Sequence, residues 1–274
     1  MRTAPFLGPL LLLYAVLLIA PYFLLFRMSL NRYSSTRLYI QDLSLRNYIS
    51  VLTDSVYLRL IGDTLWLGIL VTLATLVMGM ALAMVITRCR PTAKSILMAV
   101  VLSPLLINIV VRTYAWLVLL GEKGVINSWF LALGVIDGPL PLSDNLFAVV
   151  IGLTHITLPL MVLSLVSVME TVPASILEAA ESLGARPMRI FFRVFLPAIL
   201  PGMASGSLLV FCYTISAFIT PQILGGGRVS TLATVIYDRF SFGLNWPIGS
   251  TLVFILLLVN VVAMLIHARV FRVS

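Results

Sequence analysis

Charge is what this sequence has least of. Asp, Glu, Lys and Arg make up 10% of its 274 residues, against roughly 25% in a soluble globular domain. With 61% hydrophobic residues and a mean hydropathy of +1.11, the chain cannot keep its surface in water, so an ordinary soluble domain is excluded and an integral membrane protein is implied. Cysteine is scarce too. Cys89 and Cys212 are the only two, which excludes a disulfide framework and leaves each as a small buried hydrophobe. Of the two lysines, Lys94 with Ser95 would complete a phosphate-binding loop only if glycines stood at 88 and 93, where Arg88 and Ala93 are found. No Gly-x-Ser-x-Gly elbow, HExxH pair or Cys/His metal cluster occurs. His155 has neither a second histidine nor an acidic cluster beside it and reads as a packed, hydrogen-bonded core residue. Glu178 and Glu181 share a helical face with no cleft that would set them up for acid/base work. The sequence therefore argues against an enzyme and against an ATP site of its own. The net charge of +8 is scattered over short loops, which suits lipid headgroups and argues against a nucleic-acid partner.

Long apolar runs are what the chain does have. Six can be drawn, at about 5–27, 61–87, 96–120, 146–169, 198–220 and 249–268, each near the roughly 20 residues that a helix needs to cross a bilayer. They predict an all-α membrane protein of six transmembrane helices in a single domain over 1–274, with the core spans in 61–268, a loop at 170–197 and an excursion at 28–60. The first run is too long for a signal-peptide core and ends in Arg27 without a small-x-small cleavage site, so it is expected to stay as a span. Placing both ends inside puts the loops at 88–95 and 170–197 inside as well. Basic residues then divide nine to eight between the two sides, with Arg2 and Arg272 counted inside, so charge alone hardly fixes the orientation.

The stretch from Thr171 to Pro197, TVPASILEAAESLGARPMRIFFRVFLP, is the one long amphipathic island. Pro173 suits a first helical turn. Ile176, Ala179, Ala180 and Leu183 then fall on one side of a helix, with Ser175, Glu178, Glu181 and Ser182 on the other. Gly184 can take positive φ and close that helix, and Pro187 can open another. Arg186, Arg189 and Arg193 recur at i, i+3 and i+7 opposite Phe191, Phe192, Val194 and Phe195, the pattern of an interfacial helix that Pro197 and Pro201 end.

Glu178-Ala179-Ala180, three residues, Gly184, nine residues, Val194, one residue and Leu196-Pro197 resemble the EAA motif of ABC-importer permease subunits, with Val in place of the usual Ile. Arg112–Asn127, Pro221–Gly227 and Ser230–Ser250 are similar to the first permease of spermidine/putrescine-type importers. The resemblance implies a type I ABC importer transmembrane domain in the bacterial inner membrane, with the island as a cytoplasmic coupling helix. Glu178, Ala179, Ala180, Glu181 and Gly184, with Arg186 and Arg189, would then meet an ATPase subunit. It also implies a second homologous permease, two ATP-binding subunits that hold ATP and Mg, and a periplasmic binding protein. Polyamine is the first expectation for the cargo. An opine or amino-acid-like compound, an oxyanion or ferric ion on the same machine stays open, as does a stand-alone carrier or channel.

Polar residues inside the spans are the candidates for a substrate path. An arginine near a bilayer centre costs on the order of 3 kcal/mol or more, so Arg112 must face protein, water or an acid. A clamp between helices and a pore-lining role are both open. Asn108 stands one helical turn before it, with Tyr114 and Trp116 close by. Asp63 opens the second span as a helix-capping acid or as a ligand contact. Tyr213 and Phe218 complete the set. A polycation would welcome Asp63 and the rings but be repelled by Arg112. The Gly202-x-x-x-Gly206 spacing predicts close approach of two helices, and GEKGVINSWFLALGVIDGPLPLSDN predicts a short re-entrant or surface helix.

Overall fold

The computed structural model describes the backbone of residues 4–270 and the side chains of residues 13–269. Arg2 and Arg272, used above to weigh orientation, lie outside the described residues. In chain order the elements are α1 (Ala4–Ser29), strands β1 (Arg32–Ser34) and β2 (Leu38–Ile40), α2 (Arg46–Thr53), α3 (Ser55–Arg88), α4 (Pro91–Leu106), α5 (Ile109–Leu120), α6 (Val125–Ala132) and α7 (Leu146–Met169). They continue with α8 (Ala174–Ser182), α9 (Pro187–Ile190), a π-helical turn (Phe191–Phe195), α10 (Leu196–Ala198), α11 (Leu200–Ser216), α12 (Ile219–Leu224), α13 (Leu232–Ser241) and α14 (Trp246–Val270).

The fold is that of an all-α membrane protein. Helices Ser55–Arg88, Leu146–Met169 and Trp246–Arg269 are each long and apolar enough to cross a bilayer. Two further crossings are bent pairs, Pro91–Leu106 with Ile109–Ala132 at 100° and Pro187–Ala198 with Leu200–Ser216 at 63°. The 26 residues of α1 reach about 39 Å at 1.5 Å per residue. These elements coincide with the six predicted spans, and three details differ. The third span is two helices rather than one. The fifth stops at Ser216, leaving Phe218 as the residue that precedes α12. The second starts at Ser55, where Asp54 Oδ1 accepts from Val56 N at 2.9 Å, so Asp54 and not Asp63 is the capping acid.

The chain forms two compact units. One takes residues up to Ile61 with Leu232–Val259. Its core is Val51, Leu60, Leu232, Leu252 and Ile255. A small antiparallel hairpin pairs Tyr33 with Tyr39, and Asn47 Nδ2 pins the turn below it by donating to the carbonyls of Ser29 and Asn31 at 2.7 and 2.8 Å. The predicted excursion at 28–60 is this hairpin, α2 and the start of α3.

The other unit takes Gly62–Thr231 and the residues from Asn260 onward, and its centre is α7. Leu153, Met161, Val162 and Leu165 of that helix are fully buried, as a helix apolar on every face must be. Its closest neighbour is α11, and the Gly202/Gly206 spacing is the reason. A Cβ on Gly202 would stand 2.9 Å from the backbone oxygen of Ser164, and one on Gly206 would stand 2.7 Å from Met161 Sδ. Only glycine lets the two backbones come this near. A polar tie inside the apolar core is the 3.2 Å hydrogen bond between the Thr75 and Thr157 hydroxyls, which joins α3 to α7.

Candidate coupling site and membrane path

The EAA island folds as two helical pieces around Gly184. Helix α8 ends in a Schellman motif: Ala185 N donates to Ala180 O at 3.2 Å, Gly184 N donates to Glu181 O at 2.8 Å, and Gly184 itself sits at φ +76°. Arg186 is extended, as a residue before proline prefers, and Pro187 opens α9. The following basic helix is not regular, because Phe191–Phe195 widens into a π-turn before the 63° bend. Arg186, Arg189 and Arg193 are all exposed.

No residue of α8 is buried. Its apolar stripe points outward, with Ile176 47% and Leu183 88% exposed, while Leu177 and Glu181 line a cleft of about 510 Å³ toward the ends of α3 and α7. Glu178, Ala179 and Gly184 are exposed and Ala180 is half-buried. Exposed apolar surface of this kind is what protein partners cover in other molecules. Just before the island, Lys94 at the start of α4 forms an ion pair with Glu170 at the end of α7 and ties those two helices together.

Arg112 is 6% exposed, and its environment follows from the break between α4 and α5. Pro104 has no N–H, so the carbonyl of Val100 loses its helical donor and takes the Ser103 hydroxyl instead at 2.8 Å. Ile107 and Asn108 are extended at ψ 135° and 133°, which ends α4 and orphans its last carbonyls. Arg112 Nη1 donates to the carbonyl of Pro104 and, at 3.4 Å, to that of Ile107. It is thus a clamp across the break. Asn108 is not a turn earlier on a continuous helix face but the cap of α5, its Oδ1 accepting from Val110 N at 2.8 Å.

The other predicted path residues are dispersed. Trp116 Nε1 donates to His155 Nδ1 at 3.1 Å, tying α5 to α7, so His155 is the hydrogen-bonded core residue expected of it. Tyr114 and Tyr213 remain exposed, and Phe218 is half-buried. Asp63 lies in the interior of α3 and is exposed. It lines a recess of about 180 Å³ with Trp66 and Arg228, at the end of the unit opposite the EAA helix. A larger recess of about 480 Å³ at that end holds Glu122, Asp144 and Arg228.

Sequence reading missed the residue that shapes this end. Asn127 is fully buried. Its Nδ2 donates to the carbonyls of Gly121 and Leu140 at 3.1 and 2.9 Å, and its Oδ1 accepts from Leu140 N at 2.9 Å. A lone asparagine in the apolar run after two loop glycines was the available signal. Helix α6 fills the place of the predicted short helix.

With this geometry in view, the comparisons with known proteins are direct. Residues 69–272 match the family described as binding-protein-dependent transport system inner membrane component. The chain belongs to this family. The spermidine/putrescine transport system permease protein PotB of Haemophilus influenzae is 31% identical over 230 residues, 84% of this chain and 80% of that one. PotB of Escherichia coli is 32% identical over 229 residues, 84% and 83% of the two chains. A chain of a bacterial alginate ABC transporter, crystallised in complex with an alginate pentasaccharide-bound periplasmic protein, superposes with a TM-score of 0.79 at 18% identity, covering 98% of this chain and 93% of that one. The family member described here is a multi-pass inner-membrane permease subunit of an ABC importer, with the type I importer fold.

Proposed function

We propose that this permease carries a polyamine, received from a periplasmic binding protein, through a path formed with a second, homologous permease, and that two separate ATP-binding subunits drive it. The chain has no cofactor and no catalysis of its own in this reading. ATP and Mg are held by the partner subunits, and the exposed stripe of Ile176 on α8 and Leu183 at its C-cap seats on one of them. Glu178, Ala179, Ala180 and Gly184 form the rigid contact, with Arg186 and Arg189 beside it. The curated PotB relatives support the cargo.

One geometric observation carries the cargo reading further than sequence could. Arg112 would repel a polycation if it lay bare in the path, but its guanidinium is committed to two carbonyls at the negative end of α4. The opposite end of the unit presents the carboxylates of Asp63, Glu122 and Asp144 and the ring of Trp66 against the one guanidinium of Arg228 that lines both recesses, a balance of charge that favours ammonium ions. Asn108, Tyr114 and Tyr213 remain candidates for path lining because they stay exposed.

The test is ATPase activity and uptake by the complete complex in lipid vesicles, with binding protein loaded with spermidine, with putrescine or left empty. Stimulation by the polyamine-loaded protein is the expected result. Stimulation by an amino-acid-like or oxyanion cargo instead would keep the importer and overturn the polyamine.

A further inference from the structure

The cleft beneath the coupling loop is not explained by ATPase docking, because it opens on the inner side of α8 while the apolar stripe points outward. Its wall is apolar and drawn from three places: Met84 from the end of α3, Val172 from just beyond α7, and Leu177 and Phe195 from the loop itself. Two charges of opposite sign complete it, Arg88 and Glu181. Both are exposed, and among the described residues neither side chain makes a hydrogen bond or ion pair. Arg88 is the last residue of a membrane-crossing helix, which sets the cleft at the depth where lipid headgroups meet the cytoplasm. A cavity of about 510 Å³ is of ligand size.

We propose that this cleft seats a phosphatidylethanolamine molecule, with an acyl chain against Met84, Val172, Leu177 and Phe195, the phosphate on Arg88 and the ammonium on Glu181. The charge pair selects this headgroup. A phosphate accepts from a guanidinium, and a primary ammonium donates to a carboxylate. Phosphatidylglycerol would bring only negative charge beside Glu181, and the quaternary nitrogen of phosphatidylcholine has no N–H to donate. A lipid held here fills the space between the coupling loop and the ends of α3 and α7, so motion of α8 is passed to the spans rather than absorbed by the void. The inference needs the chain's place in the membrane but no particular cargo.

The experiment is native mass spectrometry of the intact permease–ATPase complex taken from nanodiscs of equal phosphatidylethanolamine, phosphatidylglycerol and phosphatidylcholine. The wild type is expected to retain phosphatidylethanolamine in preference to both others. Arg88→Gln removes the phosphate contact and is expected to lower that retention about tenfold, the loss of one charge-assisted hydrogen bond. Glu181→Gln should abolish the preference over phosphatidylcholine while keeping lipid bound, and Arg90→Gln, two residues on and outside the cleft, should change nothing. Equal retention of the three lipids, a preference for phosphatidylglycerol, or an equal loss in Arg90→Gln overturns the proposal. No arm contains polyamine, so failure here leaves the cargo reading untouched.

Discussion

Gly184 offers the sharpest test of how the coupling helix is built. Its φ of +76° closes the Schellman motif of α8, and a Cβ placed there meets nothing within 4 Å. Within this chain a substitution therefore acts through the backbone alone. An L-residue held in the left-handed region costs roughly 1–2 kcal/mol, enough to shift the capped geometry about 5–30-fold. Asparagine tolerates that region better than alanine, and a β-branched residue tolerates it worst. Gly184→Asn, Gly184→Ala and Gly184→Val should thus lower the solute moved per ATP in that order, measured on reconstituted complexes together with ATPase co-purification. If loss follows side-chain size, with alanine mild and asparagine as harmful as valine, the backbone reasoning is wrong and a surface of the ATPase subunit is being struck. If all three behave as wild type, the cap has no part in coupling.

Four further outcomes are expected. Gly202→Ala drives a methyl to 2.9 Å from the Ser164 carbonyl oxygen and should cost about 1–3 kcal/mol by forcing α7 and α11 apart; thermal melting in detergent reads this, with Gly62→Ala, where a Cβ meets nothing within 4 Å, as the control that should not fall. Arg112→Ala strips the donors from the Pro104 and Ile107 carbonyls, at roughly 1.5–3 kcal/mol for each charged hydrogen bond, and Arg112→Lys should recover only part because both bonds come from Nη1 and the lysine nitrogen stands one bond nearer the backbone; transport lost at unchanged melting temperature would instead place Arg112 in the path. Asn127→Leu leaves the polar groups of Gly121 and Leu140 unpaired, on the order of 3 kcal/mol, and should be seen as a lower melting temperature and faster proteolysis between Gly121 and Asn145. Lys94→Glu should weaken uptake at low salt and Lys94→Glu with Glu170→Lys should restore it; the two side chains are 34% and 44% exposed, so the pair contributes under about 1 kcal/mol to stability and its effect belongs to coupling.

Much of this protein could be read without coordinates. The low charge and the six apolar runs determined the membrane class and the number of crossings, because a bilayer demands length and apolarity from each span and little else. Glycine and proline determined the shape of the EAA island for the same local reason: positive φ at 184 and an open helix start at 187 are properties of those residues themselves. The Gly202/Gly206 spacing likewise announced a close helix contact, though not that α7 would be the partner.

Only the tertiary structure decided the rest. Periodicity placed Asn108 and Arg112 on one helical face, and the break at Ile107 undid that, since a helix interrupted by two extended residues carries no phase across the gap. Arg112 could not be assigned from sequence because the carbonyls that hold it are backbone groups freed by that break, and backbone groups have no signature in a residue string. Sequence leaves Asp63 open between a capping acid and a ligand contact, whereas α3 begins at Ser55, where Asp54 caps it. Glu178 and Glu181 looked alike on a helical wheel. The fold separates them, turning Glu181 toward the cleft with Leu177, because a wheel shows which residues share a face but not which face the rest of the chain will cover.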